Sequence, residues 1–311
     1  MELTLALGDY AHARTLHTGA VLEHAGHRVT LRRVTDVPSA IFRRAREEPP
    51  PFDVAEMSLA TTYVLADRGE PTFMPLPVFP SRMFRHSAFY VRDPALRPED
   101  LRGRRVGVVR YGMTAAVWAR GLLAEAYGIA PADVTWWIGE PQFFRPPGID
   151  LHAADGKPAL EAMLLAGELD CLFSVEEPAA LRTGRVQRLF PDYAAAERAA
   201  LARTGILPIM HTVLLRRALA EAHPWLPGLV MAAFAAAKRE ALDWLLHTGA
   251  SSLPLPFQHA WADDVRGLLG DDPWPYGIEP NRRALETFGA LMHAQGLTER
   301  PLPPEAVFRE P

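Results

Sequence analysis

Short apolar runs alternate with helical patterns along the first part of the chain, and this alternation limits the folds open to it. Leu3–Leu7 and Val29–Leu31 predict strands, and the segment between them, Ala11–Ala25, predicts a helix. A third strand, Val54–Ser58, precedes a helix over Leu59–Asp67. Strands separated by helices at this spacing indicate parallel pairing in one sheet.

The pattern starts again farther along the chain, which predicts a second α/β unit. Arg105–Val109 is a buried strand that leads into a helix over Ala115–Tyr127. Thr135–Ile138 and Cys171–Ser174 follow as further strands, with a helix over Pro158–Ala166 between them. At 311 residues the chain exceeds the size at which one core keeps growing, so two lobes are expected.

The chain is predicted to pass between the lobes twice, near Phe84–Tyr90 and near Met210–Leu215. The helical segments after the second passage are expected to return and cover the first lobe; they are Leu226–His247, Gln258–Leu269 and Asn281–Gln295. We therefore assign residues 1–86 with 214–311 to lobe 1, and residues 87–213 to lobe 2. Two lobes joined by two strands enclose a ligand cleft and permit hinge closure.

Charge and composition exclude several classes of protein. The net charge of −4 argues against a nucleic-acid partner, because surfaces that bind nucleic acids are usually basic. No apolar run approaches the roughly 20 residues that span a bilayer, and Met1–Leu7 lacks the basic start of a secretory signal. We therefore expect a cytoplasmic protein with no membrane partner. The single cysteine, Cys171, permits no internal disulfide and is expected to be a buried, inert thiol.

The segment Pro80–His86 places two guanidiniums, an imidazole and a hydroxyl at the end of an apolar run. Arg82 and Arg85 offer planar forks that match carboxylate or phosphate groups, and His86 titrates near neutrality. A solvated charged turn is the structural alternative, because Arg prefers the surface. The position at a predicted passage between lobes favours an anion site. Arg120, in the second lobe, is expected to be salt-bridged or exposed.

His211 is a second imidazole at a predicted passage between the lobes. A single His in an apolar strand is more often a satisfied core group. With His86 at the other passage, however, the two histidines are the best acid and base candidates in the chain. The histidines near the N-terminus have irregular spacing and are expected on a solvated face; they are His12, His17, His24 and His27.

Polar residues follow several of the predicted strands, at the position where α/β folds bind ligands. Asp9 and Tyr10 follow the first strand, and Glu56 and Ser58 end another. Thr114 opens the helix in the second lobe, where unpaired helix amides suit an anion. Asp9, Ser58 and Thr114 can each instead cap a helix, which leaves a structural alternative for all three.

Taken together, these stretches resemble the 4,5-dihydroxyphthalate decarboxylase family. The two most specific matches are F-P-S-R-M-F-R-H at Phe79–His86 and T-G-I-L-P-I-M-H-T at Thr204–Thr212. The shorter matches are Gly8–Tyr10, Glu56–Ser58, Tyr111–Trp118, Leu189–Tyr193, His223–Trp225 and Trp274–Gly277. The resemblance runs over nearly the whole chain and departs from the family pattern in Gln142–Gly156.

The resemblance implies a two-lobed fold similar to the type II periplasmic binding proteins, with two hinge strands and a ligand cleft. It also implies a carboxy-lyase of phthalate degradation that converts a hydroxylated aromatic carboxylate, such as 4,5-dihydroxyphthalate, to protocatechuate. Catalysis would then fall to His86, His211 and Arg85. The residues implied to contact the substrate are Asp9, Tyr10, Glu56, Ser58, Arg82, Tyr111, Met113 and Thr114. A homo-oligomer is implied as well.

In such a substrate each carboxylate is para to a phenolic hydroxyl. The phenol therefore supplies the electrons for the reaction, and no organic cofactor is required. A divalent metal is possible, because catechol oxygens bind cations and the side chains of Glu56, His86, His211 and Asp9 are candidates to converge on one. Nothing in the residue spacing demands a metal.

Two other readings are compatible with the same residues. The first is a solute-binding protein, or a cytoplasmic sensor, that captures an organic anion without turnover. The second is a biosynthetic enzyme of the same fold that acts on a different hydroxylated carboxylate. A receptor needs only neutral donors and arginine, whereas a decarboxylase needs groups that transfer protons. The two hinge histidines therefore favour an enzyme.

Overall fold

The computed structural model describes residues 1–70, 72–141, 146–247, 249 and 256–310. These residues form two sheets of six strands each, with helices packed on both. The predicted α/β class with two lobes is therefore confirmed. The first part of the divergent segment, 142–145, lies outside the described residues.

The first sheet belongs to lobe 1 and combines five strands from the first 82 residues with one strand from after residue 208. Its strands are β1 (Glu2–Leu7), β2 (Val21–His24), β3 (His27–Thr35), β4 (Val54–Ser58), β5 (Phe73–Arg82) and β12 (Ile209–Arg216). Their order is β2-β3-β1-β4-β12-β5. β1 is parallel to β3 and β4, whereas β12 is antiparallel to its two neighbours. A strand from late in the chain thus lies between two strands from its first third.

The second sheet belongs to lobe 2. Its strands are β6 (Phe89–Val91), β7 (Arg105–Val108), β8 (Thr135–Ile138), β9 (Leu151–Ala153), β10 (Cys171–Phe173) and β11 (Gln187–Arg188). Their order is β11-β6-β10-β7-β8-β9. The strands β7 to β10 are parallel, and β6 is antiparallel to β10 and β11. Cys171 is fully buried in this sheet, as predicted, and burial raises the pKa of its thiol.

Eleven α-helical segments lie within the described residues. They are α1 (Pro38–Arg44), α2 (Leu59–Asp67), α3 (Thr114–Tyr127), α4 (Gly156–Ala166), α5 (Ala179–Arg182), α6 (Tyr193–Thr204), α7 (Arg217–Ala222), α8 (Leu226–Leu245), α9 (Gln258–Leu269), α10 (Arg282–Ala294) and α11 (Pro304–Val307). In the part of the chain that the structure describes, none of these helices has the length and apolar character needed to cross a membrane.

The chain passes between the sheets twice, at positions that lie side by side. Residues 83–88 join β5 to β6, and residues 205–208 lead from α6 into β12. The amide of Met83 donates to the Pro208 carbonyl at 3.0 Å, which ties the two passages together. The predicted lobe boundary at residues 213 and 214 falls inside β12, whose pairing is entirely with the first sheet. The second passage therefore precedes Ile209.

The sequence predicts that the last helices cover lobe 1 alone, and this prediction is wrong. These helices cover both lobes. α8 packs on β2 and β5 of lobe 1, whereas α10 packs on α3 of lobe 2 as well as on α2. Arg120 of α3 donates to Gln295, directly after α10, at 2.7 Å. This helix therefore joins the lobes. The prediction that Arg120 is salt-bridged or exposed is also wrong, because its guanidinium is buried over the Tyr111 ring.

The predicted helix over Ala11–Ala25 is wrong. Only Ala11–Ala13 form a 3-10 turn, and the chain then folds into the β2–β3 hairpin. Ala25 and Gly26 take the left-handed conformation (φ 49° and 80°) at the turn of that hairpin. Two successive residues of positive φ end a helix and suit a tight hairpin turn. The apolar residues of this segment therefore belong to an edge hairpin.

Replacing Gly289 of α10 by alanine is expected to lower the free energy of unfolding by about 1–3 kcal/mol. A Cβ atom there would lie 2.5 Å from the Leu302 backbone oxygen and 3.2 Å from Tyr63 Cε1. Gly267 of α9 is the matched control, because a Cβ there meets nothing within 4 Å. Gly267→Ala should be neutral or stabilising by up to about 1 kcal/mol. Urea unfolding measures both, and equal effects would show that the close contact at Gly289 is unimportant.

Candidate active site

A buried carboxylate organises the edge of the first sheet that faces lobe 2. Glu56, near the end of β4, is 0 % exposed. Its Oε2 accepts from the Gly8 amide at 2.8 Å. Its Oε1 accepts from the Tyr10 hydroxyl at 2.5 Å and from His211 Nδ1 at 2.6 Å. Residues that lie 46 to 155 positions from Glu56 in the sequence thus converge on its side chain.

The strand order explains this convergence. β12 lies beside β4, so that His211 pairs with Ser58 and with Ser81 of β5 across the sheet. The end of β1 brings the Gly8 amide to the same edge. Gly8 leaves room for this arrangement, since a Cβ there would lie 2.9 Å from the Tyr10 ring and 3.2 Å from Glu56 Oε2.

The hydrogen bonds of Glu56 decide its charge. Burial alone would raise its pKa, but the hydrogen bond and charge of His211, with the hydrogen bonds of Tyr10 and Gly8, lower the pKa below the usual value. Glu56 is therefore a carboxylate at neutral pH. Burial, followed by the charge of Glu56, raises the pKa of Tyr10, so that the phenol stays protonated and donates.

The imidazole of His211 is oriented by its neighbours and partly exposed. Nδ1 is held by Glu56, and the edge of Phe42 packs on the ring with the centroids 5.0 Å apart. The side chain remains 19 % exposed, and the described residues give Nε2 no hydrogen bond. A carboxylate that accepts from one ring nitrogen fixes the tautomer and leaves the other nitrogen to exchange a proton with a ligand. This geometry suits general acid–base chemistry.

His12 was assigned to a solvated face by the sequence, and this assignment is wrong. Its ring lies between Tyr10 and Trp274, with centroid distances of 5.4 and 5.5 Å, and burial lowers its pKa to about 4. The position of His12 was not predicted because the sequence indicates a helix after Tyr10, whereas these residues form a 3-10 turn. Its closeness in sequence to Tyr10 was the only signal that could have revealed it.

Ser58 and Thr114, both predicted substrate contacts, meet across the two lobes. Their hydroxyl oxygens are 2.8 Å apart, and the Ala60 amide donates to Thr114 Oγ1 at 2.9 Å. Thr114 is the first residue of its own helix and makes no cap for it. Its hydroxyl instead satisfies the N-terminus of α2 in the other lobe. We call this contact the inter-lobe cap.

Arg82 binds the C-terminal part of the chain through hydrogen bonds. Its Nη2 donates to the Pro275 carbonyl at 2.5 Å and to Asn281 Oδ1 at 2.6 Å. The guanidinium lies over the rings of Phe79 and Trp274, and burial lowers its pKa to about 10. Among the described contacts, none joins the Arg82 side chain to Glu56 or His211.

Arg85 and His86 lie in the first passage between the lobes, apart from His211. Arg85 Nη1 is 3.1 Å from the Met83 sulfur, and burial lowers the pKa of Arg85 to about 10. His86 is 4 % exposed, packs edge-on against Phe190, and has Nδ1 3.9 Å from Glu197 Oε1. Among the described contacts, none joins these two residues to Glu56 or His211.

The remaining predicted substrate contacts differ in their surroundings. Asp9 is exposed at the end of β1, and Met113 is partly buried at the start of α3. Tyr111 is fully buried, with the Arg120 guanidinium 3.6 Å from its ring centroid. Burial raises the pKa of Tyr111. Its ring is therefore part of the lobe 2 core.

Of the four candidates for a possible metal site, Glu56, His86, His211 and Asp9, only Glu56 and His211 are in contact among the described residues. Within the described residues, no group of three or more His, Cys, Asp or Glu side chains has a geometry that could hold a metal ion. Glu56 instead accepts hydrogen bonds from His211, Tyr10 and Gly8.

The stability of the protein is expected to fall as the pH is lowered from about 6.5 to about 4. Burial lowers the pKa of both His12 and His86 to about 4, against about 6.5 in an unfolded chain. Between these values the unfolded chain binds more protons, so stability rises with pH. Each group should account for about 1–3 kcal/mol of the change. Urea unfolding of His86→Gln from pH 7 to pH 4.5 should show a smaller pH dependence. An unchanged dependence, equal to that of the exposed control His24→Gln, would contradict this.

Comparison with known proteins places these features in context. The chain is 36 % identical over 321 residues to the 4,5-dihydroxyphthalate decarboxylase of Comamonas testosteroni, covering 99 % of this chain and 96 % of that protein. It is 32 % identical over 205 residues to the 4,5-dihydroxyphthalate decarboxylase of Pseudomonas putida, covering 62 % of this chain and 78 % of that protein. No protein-family model matches the sequence.

Solved structures show the same fold at low sequence identity. A putative periplasmic sulfonate-binding protein SsuA from Methylobacillus flagellatus KT superposes with a TM-score of 0.56 at 12 % identity, covering 99 % of this chain and 91 % of that one. The periplasmic aliphatic sulphonate binding protein SsuA from Escherichia coli gives 0.54 at 15 % identity, covering 100 % and 92 %. The predicted periplasmic-binding-protein-like fold is thereby confirmed.

Proposed function

Because the chain belongs to the 4,5-dihydroxyphthalate decarboxylase family, we propose that it removes CO₂ from 4,5-dihydroxyphthalate, or a closely similar hydroxylated aromatic carboxylate, to give protocatechuate or its counterpart. Membership in this family makes the protein a carboxy-lyase. The observation that supports the specific chemistry is the Glu56–His211 pair at the edge of the cleft. It offers an imidazole that is oriented, partly exposed and able to transfer a proton.

The electronic structure of this substrate places a demand on the protein. Each carboxylate is para to a hydroxyl, so that lone-pair density from the hydroxyl oxygen reaches the carbon that bears the carboxylate. Protonation of that carbon is then the step that the protein must assist. When the carbon–carbon bond breaks, its electron pair returns to the ring and CO₂ leaves.

We assign the proton donor to His211. Its Nε2, in the imidazolium form, gives a proton to the carboxylate-bearing carbon, and the neutral imidazole later takes a proton from solvent through its exposed edge. The balance is one proton consumed and one CO₂ released. General acid catalysis of this kind contributes about 10²–10⁴-fold to a rate.

Glu56 and Tyr10 hold the His211 imidazole in the orientation that this role requires. The Glu56 carboxylate accepts a hydrogen bond from Nδ1 of His211 and so leaves Nε2 for the substrate. The Tyr10 hydroxyl shares the same carboxylate oxygen and lies 3.3 Å from Nδ1. Phe42 covers the ring from one side, which limits its motion and its hydration. Together these contacts keep the donor in one orientation.

The other predicted site residues keep their sequence-based roles as predictions. His86 remains a candidate for proton transfer, although its contacts with Phe190 and Glu197 favour a role in positioning the first passage. Arg85 and Arg82 remain candidates for contact with the substrate. A divalent metal, a cytoplasmic location and a homo-oligomer also remain predictions.

The alternative is a protein of the same fold that captures an organic anion without turnover. The similarity to sulfonate-binding proteins shows the fold alone, whereas the relatives that cover most of this chain are named as decarboxylases. An imidazole oriented by a buried carboxylate is also more than a receptor requires. These considerations favour the enzyme.

The test is release of CO₂ from 4,5-dihydroxyphthalate, phthalate and 4-hydroxybenzoate, each with and without a chelator. We expect turnover of 4,5-dihydroxyphthalate and none of phthalate, which lacks the para hydroxyl. Equal turnover of phthalate would contradict the electronic role of the hydroxyl. No CO₂ from any compound, together with thermal stabilisation by 4,5-dihydroxyphthalate, would support the binding protein instead. Loss of turnover with the chelator would establish a metal.

A further inference from the structure

The substrate considered above carries two carboxylates, of which only one leaves as CO₂. The second must be held in place while the ring is protonated, and a guanidinium is the group best suited to bind a carboxylate. The inference that follows rests on the proposed function, and it concerns which arginine performs this task.

Two of the arginines singled out from the sequence, Arg82 and Arg120, are engaged in contacts within the protein. Arg82 is bound to Pro275 and Asn281. Arg120 is 1 % exposed and bound to Gln295 and to the Tyr111 carbonyl. Arg82 Nε and Arg120 Nη1 also lack a hydrogen-bond partner among the described residues. Both side chains are buried, however, at 6 % and 1 % exposed, so a substrate carboxylate cannot reach them without rearrangement.

Arg110 occupies a different position, at the carboxyl end of β7. In open α/β sheets, ligands bind beyond the carboxyl ends of the parallel strands. The turn from Arg110 leads directly to Thr114, whose hydroxyl contacts Ser58 at 2.8 Å. Ser58 in turn pairs with His211 in the first sheet. The Arg110 turn therefore belongs to lobe 2 and directly precedes the residue, Thr114, that touches the edge of lobe 1 on which His211 lies.

The charge of Arg110 is only loosely neutralised. Its Nε is 3.3 Å from Glu140 Oε2, and both side chains are well exposed, at 40 % and 51 %. Nε is nevertheless buried and has no hydrogen-bond partner among the described residues. The neighbouring ion pairs of lobe 2, Lys157–Glu176 and Arg188–Glu177, are closed by direct hydrogen bonds. Arg110 thus has a donor that its carboxylate neighbour does not satisfy.

We propose that Arg110 binds the carboxylate that the substrate keeps, and that Glu140 gives way when it does so. The incoming carboxylate supplies the hydrogen bond that Nε lacks. Glu140, being half exposed, is free to turn toward solvent. The substrate is then held from lobe 2 by Arg110 while His211 approaches the reacting carbon from lobe 1. Arg110 is in this view a residue that determines specificity for dicarboxylates.

The test measures binding of phthalate, which carries both carboxylates, by isothermal titration calorimetry. Arg110→Gln is expected to weaken phthalate binding by about 10–100-fold, the usual value of a charged hydrogen bond. Glu140→Gln removes the competing carboxylate and is expected to tighten binding. The matched control is Arg104→Gln, which removes an equal charge from an exposed site of lobe 2 and should leave the affinity unchanged.

Several results would overturn the assignment. Wild-type affinity in Arg110→Gln, equal weakening in Arg104→Gln, or absence of phthalate binding by the wild-type protein would each do so. Weaker binding in Glu140→Gln would show that the ion pair has only a structural role, and this variant keeps the test open if Arg110→Gln fails to fold. Turnover of 4,5-dihydroxyphthalate by the wild type, with unchanged phthalate affinity in Arg110→Gln, would remove this assignment and leave the proposed function intact.

Discussion

Replacing His211 by glutamine is expected to lower kcat for CO₂ release by about 10²–10⁴-fold. Glutamine approximates the polar contacts of the imidazole but cannot deliver a proton. The hydrogen bond to Glu56 can still form, so the fold of the β4–β12 edge should persist. The measurement is steady-state CO₂ release at saturating 4,5-dihydroxyphthalate, with thermal unfolding recorded to confirm that the variant is folded.

The turnover of His211→Gln is to be compared with that of two other histidine variants. His24 is exposed on β2, so His24→Gln should keep wild-type turnover. His86→Gln tests the sequence-based prediction of a second proton-transfer group. A loss in kcat as large as that of His211→Gln, in a folded protein, would establish His86 in the chemistry. Near wild-type kcat in His211→Gln would reject the assigned proton donor.

Replacing Glu56 by glutamine is expected to reduce both turnover and stability. The amide lacks the charge of the carboxylate that accepts from His211 and Tyr10, so the imidazole is held less firmly and kcat should fall by about 10²-fold, with a smaller change in KM. Glu56 accepts from Gly8, Tyr10 and His211 in a fully buried position. An amide NH₂ group turned toward donors leaves part of this network unpaired, at a cost of about 2–4 kcal/mol.

The pH dependence of stability separates this effect from a general loss of packing. The pKa of Glu56 is lowered in the folded protein, since the hydrogen bonds and charge around it outweigh its burial. The carboxylate therefore stabilises the fold above the ordinary carboxyl pKa of about 4.3, and this contribution is lost as the pH falls through the folded value. Glu56→Gln should lack that part of the acid-induced loss. The exposed Glu47→Gln should keep it, and identical acid profiles for the two variants would contradict the role of Glu56.

The sequence predicted the two-lobed fold because its signals are local. Apolar runs bounded by glycine and polar residues mark strand ends, and Gly8–Tyr10 and Glu56 were recognised at two of them. The wrong prediction of a helix over Ala11–Ala25 also arose from a local signal. Residues 11–25 have a composition that suits a helix, but the glycine at position 26 and the pairing of β2 with β3 impose a hairpin. His12 lies before this hairpin, in the 3-10 turn of Ala11–Ala13, and packs between Tyr10 and Trp274 instead of lying on a solvated helix face.

The candidate site was predicted only in part, because its decisive contacts are long-range. Glu56 and His211 are separated by 155 positions, and only the insertion of β12 beside β4 brings them together. Arg82 illustrates the opposite case. Its residue type suits an anion, but its partners are 193 and 199 positions away in the C-terminal segment. A sequence shows which side chains can bind an anion, and the packing of the whole chain decides which are free to do so.

The inter-lobe cap, in which Thr114 accepts from the start of α2, also has a consequence for the motion of the lobes. A helix cap is usually supplied by the chain just before the helix, so that it survives any rigid-body movement. Here the cap comes from the opposite lobe. Separating the lobes at this point strips α2 of its cap, which costs about 1 kcal/mol and reduces the open population roughly fivefold. The inter-lobe cap thus favours the closed arrangement of the lobes, and a ligand has to supply correspondingly less of the free energy of closure.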